Sequence, residues 1–252
     1  MSLQYLFKRA NQKLYMEFEL TIVVPVYNEQ DNLPRVVSTF ITYFETAPLS
    51  TKLLFVNDGS SDNSQEIIEE ICKKDHRFEY IQFDKNYGLS TAIKAGFDTV
   101  QTPLVGYIDA DLQTNPEDFN KLLQYKDHYQ LITGVRTERK DSFFKNFMSK
   151  VANMIRRAFT KDGMDDTGCP LKIIHTDYAK RIPMFKGLHR FLPAMILLQN
   201  GKVIQVPIRH YPRIAGSANF GLRNRLMGPL MDCFAYLWMK RKYINYTIVK
   251  KR

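Results

Sequence analysis

The chain has 252 residues, of which 44% are hydrophobic and 25% charged, and its formal net charge at pH 7 is +10. This length suits one α/β domain with an appendage or two small domains. No apolar run approaches the roughly 18–20 residues of a membrane-spanning helix, and the N-terminus lacks a signal-peptide pattern. Three widely spaced cysteines without a Cys-x-x-Cys pair argue against a disulfide framework or a structural zinc site, and for a reducing compartment.

The positive charge is concentrated near the C-terminus. Residues 222–252 contain eight Lys or Arg residues and a single acidic residue, Asp232. A basic segment of this kind can bind nucleic acid or an anionic lipid surface. No zinc-finger or RNA-binding motif accompanies it, so we expect no nucleic acid partner.

Short β-rich runs alternate with helical segments between residues 18 and 135. The predicted strands are Leu20–Val26, Lys52–Val56, Phe78–Phe83, Leu104–Ile108 and Gln130–Val135. The predicted helices are Asp31–Glu45, Asn63–Lys74, Leu89–Val100 and Pro116–Lys126. This alternation predicts an α/β fold with a mostly parallel sheet and helices on both faces.

Polar residues follow each of the first four predicted strands. The segments read Pro25-Val-Tyr-Asn-Glu-Gln-Asp31, Asn57-Asp-Gly-Ser-Ser-Asp-Asn-Ser64, Asp84-Lys-Asn-Tyr-Gly88 and Asp109-Ala-Asp111. For any one turn the simpler interpretation is local structure, with Asn28 and Asp31 as N-caps and Asn86 and Gly88 supplying a positive φ. Four such turns in succession favour a ligand site at the carboxyl edge of the sheet. There, Asp109 and Asp111 offer the hard oxygens that suit Mg²⁺ or Mn²⁺.

Three of these segments resemble the successive motifs of family 2 glycosyltransferases, namely Val24–Glu29, Val56–Asp62 and Asp109–Gln113. The resemblance extends from about Leu20 to Gly221. It is greatest to the branch that contains dolichyl-phosphate mannose synthase and the bacterial polyprenyl-phosphate glycosyltransferases. It implies an inverting enzyme with the A-type glycosyltransferase fold (Rossmann-like), a nucleotide-sugar donor, and Mg²⁺ or Mn²⁺ as cofactor.

The resemblance also implies roles for individual residues in the first half of the chain. The nucleotide sugar would be bound by Pro25, Tyr27, Glu29, Asp58, Lys85, Gly88 and Asp109. The metal and the diphosphate would be held by Asp109, Asp111 and Gln113, with Asp111 counted among the catalytic residues.

A basic stretch begins at Arg136, where the strand–helix alternation ends. Guanidinium groups match phosphate oxygens in geometry, and the resemblance places arginines of this region, Arg136 and Arg139, with Ser149 near an acceptor phosphate. The alternative for the segment through Phe159 is a solvated amphipathic helix. Further along, matches to the same branch assign two more residues to the acceptor, His189 and Arg190.

Asp166 lies in a segment that resembles the family's carboxylate near sugar and acceptor. It would act as a general base for a hydroxyl acceptor, whereas for an ionised phosphate acceptor it could orient the sugar or the acceptor instead. Asp165 is the alternative carboxylate.

Arg213 would stabilise the nucleoside-diphosphate leaving group, and the alternative is a structural arginine. The sequence departs from the family pattern just after it, because Ala218 and Asn219 stand where Ser and Lys are usual.

The segment Arg223–Ile244 is predicted to be a helix. Its apolar face consists of Leu226, Leu230, Cys233, Phe234 and Leu237, widened by Tyr236, Trp238 and Met239. Basic residues flank this face at both ends. The pattern is typical of a helix at an anionic membrane surface and equally of a helix packed on the core.

We therefore expect an N-terminal extension (1–17), a nucleotide-sugar-binding half (18–135), an acceptor-binding half of the same domain (136–222) and a basic amphipathic tail (223–252). The expected function is transfer of a hexose from a nucleotide-diphosphate sugar to a polyprenyl phosphate, a lipid-phosphate acceptor. The chain would be cytoplasmic and peripherally associated with the anionic inner face of the cytoplasmic membrane. The alternatives are transfer to a saccharide or protein hydroxyl, as in cell-envelope polysaccharide synthesis, and a non-catalytic nucleotide-sugar-binding module.

Overall fold

The computed structural model describes residues 18–137, 154, 156–211, 227–246 and 249, with residues 227–229 described in the backbone only. Within these residues the strands are β1 (Leu20–Val26), β2 (Thr51–Asn57), β3 (Phe78–Gln82), β4 (Leu104–Tyr107), β5 (Leu131–Thr137), β6 (Lys172–His175) and β7 (Val203–Arg209). The helices are α1 (Leu33–Thr46), α2 (Ser64–Lys74), α3 (Leu89–Thr99), α4 (Phe119–Leu123), α5 (Thr176–Lys180), α6 (Leu192–Leu198) and α7 (Met227–Lys242). Short 3₁₀ segments cover Pro116–Asp118 and Leu188–Phe191.

All the described strands form one sheet in the order β3-β2-β1-β4-β6-β5-β7. β1 is parallel to both β2 and β4, and β5 is parallel to β7. β6 runs antiparallel between β4 and β5, and its first residue, Lys172, lies opposite Tyr107 of β4 and Thr133 of β5. The loop that enters β6 therefore arrives at the edge of the sheet where β4 ends.

The sheet separates two hydrophobic cores. Along β1, Leu20, Ile22 and Val24 face the core formed with α1, α2 and α4, while Val23 faces the core formed with α3 and α6. A strand that is covered on both faces has a nearly continuous apolar sequence. This explains why the first strands could be predicted from the sequence. The prediction of a mostly parallel sheet with helices on both faces is confirmed.

The five predicted strands are observed with bounds that differ by at most two residues. The fourth predicted helix is shorter than expected, since a 3₁₀ turn at Pro116–Asp118 precedes α4. β6 and β7 were not predicted. β6 has only four residues and begins with a lysine. β7 contains Pro207, which a strand tolerates at the edge of a sheet, as here.

Helix α7 packs one face on the domain and exposes another. Cys233 and Tyr236 are buried, and the Tyr236 ring stacks on Phe191 with 5.8 Å between ring centroids. On the other side Met231 and Trp238 are 63% and 67% exposed. The prediction of a helix packed on the core thus holds for one face, and binding of the exposed face to a membrane surface stays a prediction. None of the helices in the described ranges is long and apolar enough to cross a membrane.

Candidate active site

The loops after β1 and β2 are joined by hydrogen bonds. The backbone N–H of Asn28 donates to Ser60 Oγ at 3.0 Å, and the N–H of Ser61 donates back to Asn28 Oδ1 at 2.8 Å. The N–H of Glu29 donates to Ser64 Oγ at 3.0 Å. The two loops, which carry the predicted donor residues Tyr27, Glu29 and Asp58, therefore form one unit.

The interpretation of Asn28 and Asp31 as N-caps of the next helix is wrong. Helix α1 begins after Asn32, and Asn28 adopts a left-handed conformation with φ 55°. Asn tolerates this conformation better than most residues because its short polar side chain can bond locally. The side chain of Asn32 donates from Nδ2 to Glu29 Oε2 at 2.6 Å and so orients the Glu29 carboxylate.

Asp58 connects the loop after β2 to the loop after β3. Its buried carboxylate accepts three hydrogen bonds: from the N–H of Tyr87 (2.7 Å), the N–H of Gly88 (2.9 Å) and Nδ2 of Asn86 (3.0 Å). Gly88 has φ 91°, so the positive φ expected there is confirmed, whereas the positive φ expected at Asn86 is not observed. Asp58 fixes the path of residues 86–88, a role that isolated motifs do not reveal, and its contact with a nucleoside stays a prediction.

The same two loops touch at Gly59. Gly59 has φ 65°, and a Cβ atom added there would lie 2.3 Å from the carbonyl carbon of Lys85. Close packing of the two backbones therefore requires glycine. Lys85 is exposed and its Nζ lies 5.4 Å from the centroid of the Tyr87 ring. Tyr27 is 43% exposed at this edge of the sheet.

Asp109 and Asp111 lie in a tight turn directly after β4. Leu112 in this turn has φ 47°, an uncommon conformation for a branched residue, which persists only where its surroundings hold it. Two contacts do so: the N–H of Gln113 donates to Asp111 Oδ1 at 3.1 Å, and the Arg35 guanidinium donates to the backbone oxygen of Asp111. Arg35 lies on α1, and no sequence pattern indicated its role.

The two carboxylates influence each other. The hydroxyl of Tyr107 donates to Asp109 Oδ1 at 2.6 Å. Burial, together with the negative charge of Asp111, nevertheless raises the pKa of Asp109 to about 6. A bound divalent cation would relieve this repulsion, so the donor set fits Mg²⁺ or Mn²⁺. The described ranges contain no group of three or more His, Cys, Asp or Glu side chains suited to a metal, so a cation here would take further oxygens from substrate or water.

Arg136 and Asp166 form a bidentate ion pair at the same edge. Arg136 Nε donates to Asp166 Oδ2 at 2.7 Å, and Nη2 donates to Oδ1 at 2.9 Å. Burial opposes the charged form of Arg136, but the hydrogen bonds and charge of Asp166 outweigh it and the pKa of Arg136 is raised. The sequence indicated both residues but not that they bind each other. This geometry favours an orienting role for Asp166 over proton abstraction.

Lys172 is a buried residue of the site that sequence reasoning missed. It is 1% exposed, and its ammonium donates to the backbone oxygens of Thr167 (3.3 Å) and Cys169. Burial lowers the pKa of Lys172, while the charges of Cys169, Asp166 and Asp109 act in the opposite direction. The only available signal was a lysine among apolar residues in a segment not assigned as a strand.

The predicted acceptor residues His189 and Arg190 lie between α3 and α7. His189 Nδ1 is 2.8 Å from Ser90 Oγ, which also accepts the N–H of Gly187 at 2.9 Å. Burial and neighbouring positive charge lower the pKa of His189 to about 3, so this side chain is neutral at pH 7. Arg190 Nη1 lies 3.5 Å from Asp232 Oδ2. A contact of either residue with an acceptor stays a prediction.

Three predicted site residues, Arg139, Ser149 and Arg213, lie outside the described residues, as does the segment with Ala218 and Asn219. The chain before Arg213 is held at the carboxylate turn, since the N–H of Tyr211 donates to the backbone oxygen of Gln113 at 2.9 Å.

Comparison with known proteins places this chain among glycosyltransferases. The family model described as glycosyl transferase family 2 matches residues 21–182. The undecaprenyl-phosphate 4-deoxy-4-formamido-L-arabinose transferase of Edwardsiella ictaluri is 31% identical over 218 residues, which cover 85% of this chain and 67% of that protein.

Solved structures share the fold at low sequence identity. Glucosyl-3-phosphoglycerate synthase from Mycobacterium tuberculosis, in complex with Mn²⁺, UDP-glucose and phosphoglyceric acid, matches with a TM-score of 0.69 at 13% identity over 90% of this chain and 81% of that one. A mannosyltransferase from Pyrobaculum calidifontis, in complex with GDP-mannose and Mn²⁺, has a TM-score of 0.65 at 15% identity over 92% and 70% of the two chains. The fold is therefore that of A-type glycosyltransferases, and the chain belongs to glycosyl transferase family 2.

Proposed function

We propose that this glycosyltransferase moves a hexose from a nucleotide-diphosphate sugar to a polyprenyl phosphate, with inversion at the anomeric carbon and with Mg²⁺ or Mn²⁺ bound. The observation that carries the proposal is the meeting of two charged groups at one edge of the sheet. The carboxylate pair Asp109 and Asp111 follows β4, and the Arg136–Asp166 pair adjoins it. Burial and the charge of Asp111 raise the pKa of Asp109, and Arg136 is close enough for its positive charge to oppose part of this rise. The Edwardsiella relative, whose name gives undecaprenyl phosphate as acceptor, supports this choice.

The nucleoside of the donor would bind to the connected loops after β1, β2 and β3. These loops are held in place by their own hydrogen bonds, so binding would cost little ordering entropy. Tyr27 offers an exposed ring, and Glu29 and Asp58 offer carboxylates at this edge. One structural neighbour is complexed with UDP-glucose and another with GDP-mannose, so either base is compatible with the fold.

A divalent ion would be held by Asp109 and Asp111 beside Gln113. When bound, it neutralises charge on the donor diphosphate and so stabilises the leaving group. Arg213 would add to that stabilisation, since it follows the tethered Tyr211 by two residues.

The acceptor phosphate would attack without a strong general base. A phosphate monoester is already ionised near neutral pH, so no proton needs to be removed from it. One of its oxygens forms the bond to the anomeric carbon while the bond from that carbon to the diphosphate breaks. Asp166, with both oxygens engaged by Arg136, would orient the reactants, and Arg139, Ser149, His189 and Arg190 would bind the phosphate.

A membrane surface is the proposed location of the acceptor, at the inner face of the cytoplasmic membrane. The exposed Met231 and Trp238 of α7 provide apolar contacts. Beside the helix lies a groove of about 590 Å³, lined by Ala158, Phe159, Lys161, Leu237, Lys240 and Arg241. None of its three cations forms an ion pair with a carboxylate in the described part of the chain. This combination suits anionic headgroups.

The deciding experiment is a transfer assay with a panel of UDP- and GDP-sugars against undecaprenyl phosphate. Each donor is assayed with Mn²⁺, with Mg²⁺ and with chelator, and the product is identified by mass and anomeric configuration. We expect an inverted glycosyl phosphate that requires metal and is absent with Asp111→Asn. Transfer only to saccharide hydroxyls, or nucleotide binding with neither transfer nor donor hydrolysis, would contradict the proposal.

A further inference from the structure

Lys172 occupies a position where the fold has no evident need for charge. It begins β6 in the row Tyr107–Lys172–Thr133, which crosses three strands at the active edge of the sheet. It is 1% exposed, and the face it shares with Tyr107 and Thr133 is packed mainly with apolar side chains.

Its ammonium is compensated by backbone oxygens and an aromatic ring. It donates to Thr167 and Cys169 and lies 5.8 Å from the centroid of the Tyr107 ring. Within the described residues it forms no ion pair with a carboxylate.

Such a cation is costly to bury. Removing an ammonium from water is unfavourable, and carbonyl oxygens only partly offset this. Replacing a complete buried ion pair with apolar side chains of similar size is often neutral or stabilising, whereas removing this ammonium alone leaves the carbonyl oxygens of Thr167 and Cys169 without this donor. A methionine would match the length of Lys172, so the reason for a lysine is to be found in what its contacts hold in place.

Those contacts connect the turn that carries Asp109 and Asp111 with the loop that carries Asp166. On one side Tyr107, under the ammonium, donates to Asp109. On the other side the two carbonyls that accept from Lys172 flank Gly168, in the loop that carries Asp166.

We propose that Lys172 is a positioning residue for the reaction proposed above. Its ammonium holds the loop 166–169 against Tyr107 and so sets the positions of Asp166 and Arg136 relative to Asp109. The lysine touches no substrate and acts through this loop. The transfer measurement below rests on the proposed function, and the other measurements do not.

The test compares two substitutions with a matched control. Lys172→Met removes the charge at nearly constant length, and Lys172→Arg keeps a cation and N–H donors. Lys52→Met is the control, because Lys52 is also a largely covered strand lysine above an aromatic ring, 5.6 Å from the Phe18 centroid, but lies away from the site. The readouts are thermal unfolding, hydrogen exchange of residues 165–171, binding of UDP and GDP with Mn²⁺, and transfer to undecaprenyl phosphate.

We expect Lys172→Met to keep the native fold with a modestly lower unfolding temperature, because two carbonyl oxygens lose this donor, and to bind nucleotide with unchanged affinity. Its amides in 165–171 should exchange faster, and kcat for transfer should fall roughly ten- to a hundredfold, as for loss of charge-assisted contacts. Lys172→Arg should restore both, and Lys52→Met should change neither.

Two results would overturn the proposal. One is native exchange in residues 165–171 of Lys172→Met. The other is failure of that variant to fold, or faster exchange throughout the domain, which would make the lysine a general structural element. If the native protein transfers no sugar to undecaprenyl phosphate, the proposed function fails, while exchange and nucleotide binding still decide the role of Lys172.

Discussion

Arg136 and Asp166, thirty residues apart in the chain, bind each other through two parallel hydrogen bonds of 2.7 and 2.9 Å. Arg136 lies near the end of β5, and Asp166 lies in the loop that leads into β6. The pair therefore ties this loop to the end of β5, at the edge of the sheet where Asp109 and Asp111 follow β4.

Breaking this pair from one side should be costly for the fold. We expect Arg136→Met to lower the free energy of unfolding by about 3 kcal/mol, because it removes the guanidinium charge that faces the buried Asp166 carboxylate. The double variant Arg136→Met/Asp166→Leu should recover most of that stability in urea titrations but should not recover transfer activity. Removal of the exposed Asp177, which pairs with Arg181 at 3.5 Å, should cost less than about 1 kcal/mol. Native activity in the double variant would exclude a functional role for the pair.

The pKa of Asp109 predicts how metal affinity depends on pH. Because this pKa is about 6, a cation must displace a proton below that pH. The apparent affinity for Mn²⁺ in the presence of UDP or GDP should therefore rise about tenfold per pH unit up to pH 6 and then level off. Calorimetric titrations between about pH 5 and 8 measure this. Asp109→Asn should abolish the dependence, and the surface variant Asp127→Asn should retain it.

In the metal-free protein the same raised pKa makes the free energy of unfolding fall as the pH rises. The pKa is raised from an ordinary 3.8 to about 6, so on raising the pH the unfolded chain ionises first. The contribution of Asp109 to stability is present below pH 4 and is lost between about pH 4 and 6. Over that range the unfolding free energy of the native protein should fall relative to that of Asp109→Asn, and parallel curves would contradict the assignment.

Gly59→Ala tests the contact between the loops that follow β2 and β3. Its control is Gly163→Ala, since Gly163 also has a positive φ (72°) but nothing within 4 Å of an added Cβ. Both substitutions incur the left-handed backbone penalty, about 1–2 kcal/mol. Gly59→Ala should cost about 1–3 kcal/mol more because of overpacking against the Lys85 backbone, and it alone should weaken nucleotide binding. Equal effects in denaturant titration and calorimetry would show that the loops accommodate the methyl group.

The exposed face of α7 predicts binding to anionic vesicles. Met231→Ser/Trp238→Ser should reduce co-sedimentation with phosphatidylglycerol vesicles, whereas Tyr80→Ser, at an exposed ring on β3, should not. Lys240→Gln/Arg241→Gln should weaken binding by about 1 kcal/mol per charge, and only for anionic vesicles at low salt. If all variants sediment like the native chain, α7 is a packing helix and the membrane proposal fails.

Local patterns in the sequence predicted most of the fold and the position of the site. Apolar runs that end in polar residues predict both the strands and the edge of the sheet at which the candidate site residues meet, because both signals lie within one segment of sequence. The partners of those residues could not be predicted in the same way. Arg35 holds Asp111 from 76 residues away, and Asp58 fixes a loop about 30 residues further on. Lys172 becomes interpretable only when β6 is known to lie between β4 and β5, a pairing that four residues cannot specify.

The position of β6, antiparallel between β4 and β5, bears on how the connection between β5 and β6 can vary among related chains. β5 ends at Thr137, and β6 begins on the neighbouring strand at Lys172, opposite Thr133, so the connection between these strands starts and finishes at the same edge of the sheet. The entropy of closing a loop rises only slowly with its length. The part of this connection that precedes Asp166 can therefore change in length without shifting the register of β5 against β6. Under the proposed function, relatives could differ in this connection, and hence in the acceptor they use, while the sheet stays the same.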